Sequence, residues 1–154
     1  MIEDRRFPIF VHKGVAGGNF LIQSKDQSSG LHAARNAVTA ISEIAGAITP
    51  FPAGVVRSGS KVGSKYKALK ASTAIIYCPA LRGRVDSNIH PDANCVYEIV
   101  IDAIDSQSIG AAMTAGIHAS CGADILAISA GNYGGKLGKH HFHLHKLLSE
   151  HANR

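Results

Sequence analysis

Cys95-Val96-Tyr97-Glu98-Ile99-Val100-Ile101-Asp102 is rich in β-branched and aromatic residues. It follows a polar stretch of turn-forming residues from Arg82 to Asn94, and is predicted to be a strand. Side chains on a strand alternate between faces, so Val96, Glu98 and Val100 share one side while Tyr97, Ile99 and Ile101 share the other. Downstream, Ser106 to Cys121 carries Ile109, Ala112, Met113 and Ile117 at helical spacing, with Gly122 as the stop. Gly116 interrupts that pattern, since an interior glycine costs about 1 kcal/mol against alanine. Ile125 to Ser129 reads as a second apolar strand, and His141 to Leu147 alternates as a further one.

Upstream, Asn19 to Ser24 is a short strand opening after Gly17-Gly18. Ser29 to Ala45 then has Leu31, Ala34, Val38 and Ile41 on one helical face. Ser28 or Ser29 is expected to cap its start and Gly46 to sit at C′. Ile48 to Arg57 reads as extended, with Pro50 and Pro52 favouring a sheet edge. A short apolar run, Thr73 to Cys78, lies in the insertion that follows. The resulting order is β-α-β-β-α-β. The expectation is one α+β domain over residues 1–154, a ferredoxin-like sandwich with an antiparallel sheet and two helices on one face.

The composition agrees with a packed domain. The chain has 154 residues, 45% hydrophobic and 18% charged, which is too apolar for a disordered chain. No run approaches the roughly 18 apolar residues of a membrane span, and the start, Met1-Ile2-Glu3-Asp4-Arg5-Arg6, lacks a signal-peptide core. Cys78, Cys95 and Cys121 are odd in number and form no C-x-x-C pair, which argues against a disulfide framework. A cytoplasmic location is expected.

The formal net charge is +5, and one segment carries the excess. Between Arg57 and Lys70 stand five cations (Arg57, Lys61, Lys65, Lys67, Lys70) and no acid, while the other 11 basic residues balance the 11 acidic ones. Gly59 and Gly63, with Ser58, Ser60 and Ser64, allow backbone N–H groups and hydroxyls to approach an anion closely. Tyr66 alone offers a stacking face, which suits a small polyanion better than a nucleic acid. The alternative is an ordinary solvated loop. The segment is not a P-loop, because its glycines are too close and Ser-Lys replaces Lys-Ser.

Glu98 is the candidate catalytic carboxyl. Among valines it is desolvated, which favours its neutral form, as a general acid near neutral pH requires. A structural ion pair is the competing interpretation. Five of the nine histidines lie between His140 and His151. On a strand, His141, His143 and His145 would share a face, but no H-E-x-x-H motif accompanies them and no metal site is assigned. No cysteine or serine has a convincing activating base, so transfer without a covalent enzyme intermediate is expected.

Four blocks, Thr49-Pro50-Phe51-Pro52-Ala53-Gly54, Val56 to Lys67, Tyr97 to Asp102 and Ile128 to Lys139, resemble formylmethanofuran:tetrahydromethanopterin formyltransferases. Leu81-Arg82-Gly83-Arg84-Val85 and His90-Pro91-Asp92-Ala93-Asn94 look more like the methylotroph bacterial enzymes of that family. The resemblance covers what is expected to be the C-terminal, distal lobe, without the N-terminal lobe. It implies formyl transfer between the amine of a furan-containing carrier and N5 of a tetrahydropterin, with Glu98 as acid/base. It also implies carrier binding by Arg57, Ser58, Ser60, Lys61, Ser64, Lys65, Tyr66, Lys67, Asn132 and Tyr133. No bound cofactor is implied, since tetrahydromethanopterin and the methanofuran-type carrier are substrates. Implied partners are these polyanionic carriers, a second copy or a companion N-terminal lobe, and a hydrolase complex, with neither membrane nor nucleic acid among them. The rival expectation is a non-catalytic carrier-binding or assembly module that keeps the fold and the anion loop.

Overall fold

The computed structural model describes residues 13–57, 60–62, 71–73, 75–131 and 140–152. A four-deep antiparallel sheet is built on β1 (Val15–Ser24) and β6 (Cys95–Ala103), which pair along their length from Gly18↔Ile101 to Ser24↔Cys95. β7 (Ile125–Ser129) pairs with the outer side of β1. Along the outer side of β6 run two short pieces, β2 (Ala47–Ile48) and β3 (Val55–Arg57). The order is therefore β2/β3, β6, β1, β7, with every pairing antiparallel. A separate ribbon pairs β4 (Ser60–Val62) with β5 (Ala71–Thr73).

Helices α1 (Gln27–Ser42) and α2 (Ser106–Ser120) cover one face of the sheet. Phe20 and Ile22 of β1 and Ile99 and Ile101 of β6 are fully buried there against Ala34, Ala37, Ile41, Ile109 and Met113. Each such large apolar side chain contributes about 1.5–3 kcal/mol on burial. The two helices approach closely at Gly116, where a Cβ would stand 2.8 Å from Ile41 Cδ1 and 3.0 Å from the Phe20 ring. The glycine that weakens the helical pattern in sequence is thus what lets α2 sit on α1 and the sheet.

Several boundaries differ from expectation for local chemical reasons. β1 begins four residues earlier, at Val15, through a bulge where the register shifts between Val15 and Gly18. Gly17 takes φ +87° there and its N–H donates to Asp102 Oδ1 at 3.0 Å, so the glycine pair lies within the strand. α1 is capped by Asp26, not by Ser28 or Ser29: the Asp26 carboxylate accepts from the Ser29 N–H and from the Ser29 hydroxyl. α1 also ends at Ser42, and Gly46 with φ +80° instead shapes the turn into β2. The expected Ile48–Arg57 extension is divided by a 3-10 turn over Pro52–Gly54. The Thr73–Cys78 run contains another such turn, Ile75–Tyr77.

The histidine-rich segment does not form a strand. It leads into α3 (Leu144–Ala152), whose Leu144, Leu147 and Leu148 face the core at helical spacing. His140, His141, His143 and His145 are exposed, and the expected single face of three histidines is absent. The strand-like alternation of residues 141–147 loses to the apolar set that only becomes visible when Leu148 is included.

Two outcomes follow. Replacing Gly116 with Val should cost about 1–3 kcal/mol by overpacking, read as a lowered thermal midpoint with an unchanged far-ultraviolet spectrum. The caps also make stability pH-dependent. Hydrogen bonds from the backbone, then the side chain, of Ser29 hold the Asp26 carboxyl below its ordinary value, and Ser108 does the same for Asp105. With folded values lowered, this contribution is fully present above the unfolded value of about 3.9. It is lost as pH falls through the folded values. An Asp26→Asn/Asp105→Asn variant keeps capping side chains, and its urea midpoint should fall less than the parent's between about pH 6 and pH 3. Equal losses would exclude the caps as the titrating groups.

Candidate functional site

On the face of the sheet away from α1 and α2, the register aligns Val56, Glu98, Leu21 and Ser129 in a row across β3, β6, β1 and β7. Glu98 is therefore flanked by Val56 and Leu21 on neighbouring strands and by Val96 and Val100 on its own. Its exposure is 1%. Asn19, opposite Val100 on β1, shares this face, and its Nδ2 donates to Glu98 Oε1 at 2.7 Å. Both residues are buried, so this is a hydrogen bond made in a poorly screened environment, where such bonds are stronger than in water. A carboxyl anchored in this way can hold a fixed orientation while it gains or loses a proton.

Part of the same face is covered by residues 75–94. Ile89, Ala93 and Tyr77 pack there on Leu21, Val96 and Leu126 to make a second, smaller core. Gln23, 2% exposed, fastens this cover: its Oε1 accepts from the His90 N–H at 2.7 Å and its Nε2 donates to Ser129 Oγ at 3.2 Å. Arg82 donates to the carbonyl of Ala93, and the Asn94 N–H donates to the Ser24 carbonyl at 3.0 Å. A surface hollow of about 480 Å³ opens beside it between Lys25, Pro91, Asp92, Asn94 and Leu126. Glu98 does not line that hollow.

Tyr97, next to Glu98 in sequence, points to the helix side, where burial and then the neighbouring Cys95 push its phenol up. It is a neutral packing group. Arg57 ends β3 opposite Tyr97, on the sheet face away from Glu98, and is exposed. Arg57 and Glu98 thus stand on opposite faces of the sheet. Ser60 and Lys61 lie on β4, opposite Thr73 and Ser72 of β5, so the ribbon braces both ends of the basic stretch. Ser58, Ser64, Lys65, Tyr66, Lys67, Asn132 and Tyr133 lie outside the described residues. Among the described residues, no three His, Cys, Asp or Glu side chains converge as metal ligands, and no helix is long and apolar enough to cross a membrane.

Asn19 was not singled out in the sequence. The available signal was a carboxamide placed directly before the apolar run Phe20-Leu21-Ile22. What it bonds to depends on a pairing 79 residues away.

The fold and site define an α+β lobe that buries a hydrogen-bonded carboxyl in an antiparallel sheet. Residues 2–147 match the family model described as "FTR, proximal lobe", and the chain belongs to the formylmethanofuran–tetrahydromethanopterin formyltransferase family. The description is of the proximal lobe, where the sequence reading expected the distal one. The formyltransferase of Methylococcus capsulatus is 50% identical over 141 residues, which is 89% of this chain and 47% of that protein. The solved formyltransferase of Methanosarcina barkeri superposes with a TM-score of 0.81 at 52% identity, covering 87% of this chain and 46% of that one. The solved formyltransferase/hydrolase complex of Methylorubrum extorquens with methylofuran gives a TM-score of 0.79 at 48% identity, over 87% and 46%. Bacterial and archaeal members thus match to a similar degree, and the chain spans about half the length of the relatives it matches.

Replacing Gln23 with Leu should strand the His90 N–H and free residues 75–94 from the sheet. The lost bond is worth about 1–3 kcal/mol when a buried partner is left unmade. Amide hydrogen exchange should accelerate in residues 86–94 and stay unchanged in α1 and α2.

Proposed function

We propose that this chain is a lobe of a formyltransferase that moves a formyl group between a formylmethanofuran-type amine and N5 of tetrahydromethanopterin, with Glu98 as the proton donor and acceptor. The observation that carries this is a carboxyl 1% exposed and hydrogen-bonded by Asn19, in a chain about half identical to named formyltransferases over most of its length.

The chemistry asks for such a group. Attack of one amine on the formyl carbon held by the other gives a tetrahedral adduct. It collapses forward only when the departing nitrogen is protonated. A buried acid supplies that proton at the moment of cleavage and recovers one from the incoming amine, typically a gain of about 10²–10⁴-fold. No covalent enzyme intermediate is needed, and no bound cofactor enters, because both carriers are substrates. Hydrogen-bond donors around the adduct would hold its oxyanion.

Carrier carboxylates would be anchored by the basic segment, with Arg57, Ser58, Ser60, Lys61, Ser64, Lys65, Tyr66 and Lys67 as the binding set, joined by Asn132 and Tyr133. Five cations without a nearby acid raise the local concentration of a polyanion. With Arg57 on the far side of the sheet from Glu98, this anchor would hold the remote end of the carrier, away from the formyl group. The lobe is read as ferredoxin-like and C-terminal, in a cytoplasmic enzyme. Its partners would be a second copy or an N-terminal lobe, and a hydrolase complex like that of the Methylorubrum protein. The bacterial, methylotroph type rests on Leu81–Val85 and His90–Asn94.

A second reading is supported by the half-length match: a non-catalytic carrier-binding or assembly module, which would show no turnover alone or mixed. A transferase assay on this chain, alone and mixed with the complementary half of a relative, separates the two. For the first reading, Glu98→Gln in the active form should lower turnover by about 10²–10⁴-fold with carrier binding preserved. Unaltered turnover would remove Glu98 from the reaction.

A further inference from the structure

The reaction assigned to Glu98 makes no use of Asn19, yet the sheet holds the two together. Asn19 pairs with Val100, and its neighbours pair as Gly18↔Ile101 and Phe20↔Ile99, so its backbone is fixed on both sides. Glu98 lies two residues along β6 on the same face, a diagonal neighbour within reach of a carboxamide. The contact is 2.7 Å, and the two residues are 9% and 1% exposed.

The donor's chemistry gives this contact its meaning. A carboxamide N–H carries no charge and donates whether or not the acid is protonated. A lysine or arginine in its place would favour the ionised carboxylate. We propose that Asn19 is a positioning residue that fixes the plane of the Glu98 carboxyl. This rests on the reading of Glu98 as the acid of formyl transfer.

The test has a kinetic arm and a spectroscopic arm. This chain is grafted in place of the matching part of the Methanosarcina barkeri enzyme, and Asn19→Ala, Glu98→Gln and the double variant are compared. Asn19→Ala should lower kcat about tenfold or more, the size of a lost hydrogen bond to an ionisable group, with KM for both carriers unchanged. In the Glu98→Gln background the same change should alter kcat by less than about twofold, since the two residues act as one unit. A raised KM with intact kcat, or undiminished losses in the double variant, would overturn the proposal. In the second arm, δ-¹³C-glutamate labelling of this chain isolates the Glu98 carboxyl infrared band as a difference against Glu98→Gln. Asn19→Ala should move that band, and Asn19→Leu, of similar volume, should move it equally because both lose the hydrogen bond; a shift in Ala alone reports loosened packing and overturns the positioning role. An unmoved band in a variant that melts cooperatively overturns the positioning role, even where the graft is inactive. A moved band together with undiminished turnover in Glu98→Gln would instead place the failure in the reading of Glu98 as the acid.

Discussion

The register of β1 against β6 is the constraint on which the rest depends. Because side chains alternate along a strand, Leu21↔Glu98 and Phe20↔Ile99 together send Phe20, Ile22, Ile99 and Ile101 to the helices and Glu98 and Asn19 to the opposite face. A slip of one residue in β6 would turn Glu98 into the helix-packed core and expose Ile99. The apolar set on the helix side is large and fully buried, so that alternative is strongly disfavoured. The position of the candidate acid is thus set by hydrophobic residues on the opposite face of the sheet.

Close packing on the helix side also depends on missing side chains. At Gly18 a Cβ would stand 2.7 Å from Ile109 Cγ2, and at Gly116 it would meet Ile41 and Phe20. Both glycines let α2 settle low on β1. Their local costs, in strand propensity and in helix propensity, are offset by the apolar contacts they permit. The bulge at Gly17 adds a third device, turning the start of β1 so that its N–H meets Asp102.

This is also why the sequence was legible in some places and not in others. Cys95–Asp102 and Ile125–Ser129 were readable because strong strand formers dominate them, and α2 because its apolar spacing survives Gly116. The start of β1 was hidden by glycines whose use is tertiary. α3 was hidden because a histidine alternation imitates a strand over residues 141–147, while the helical set extends through Leu148. In the candidate site, Glu98 stood out as an acid among β-branched residues. Asn19, read only as the start of a strand, did not, since its partner is set by a pairing 79 residues away. The face of Arg57 was equally unreadable, because it follows from the pairing of β3 with β6 across the 3-10 turn at Pro52–Gly54.

The polar residues on the far face then divide by what satisfies them. Gln23 bonds to the His90 backbone and to Ser129, partners that tie the covering segment to the sheet, and its burial is explained by that structural task. Asn19 and Glu98 bond to one another across the ladder, a link the ladder itself does not need, since backbone pairing already joins β1 and β6 there. Burying a carboxyl is costly, and well-packed apolar residues of similar size are often as stable or more so in its place. The proposed role in proton transfer is one that such a buried acid would fit.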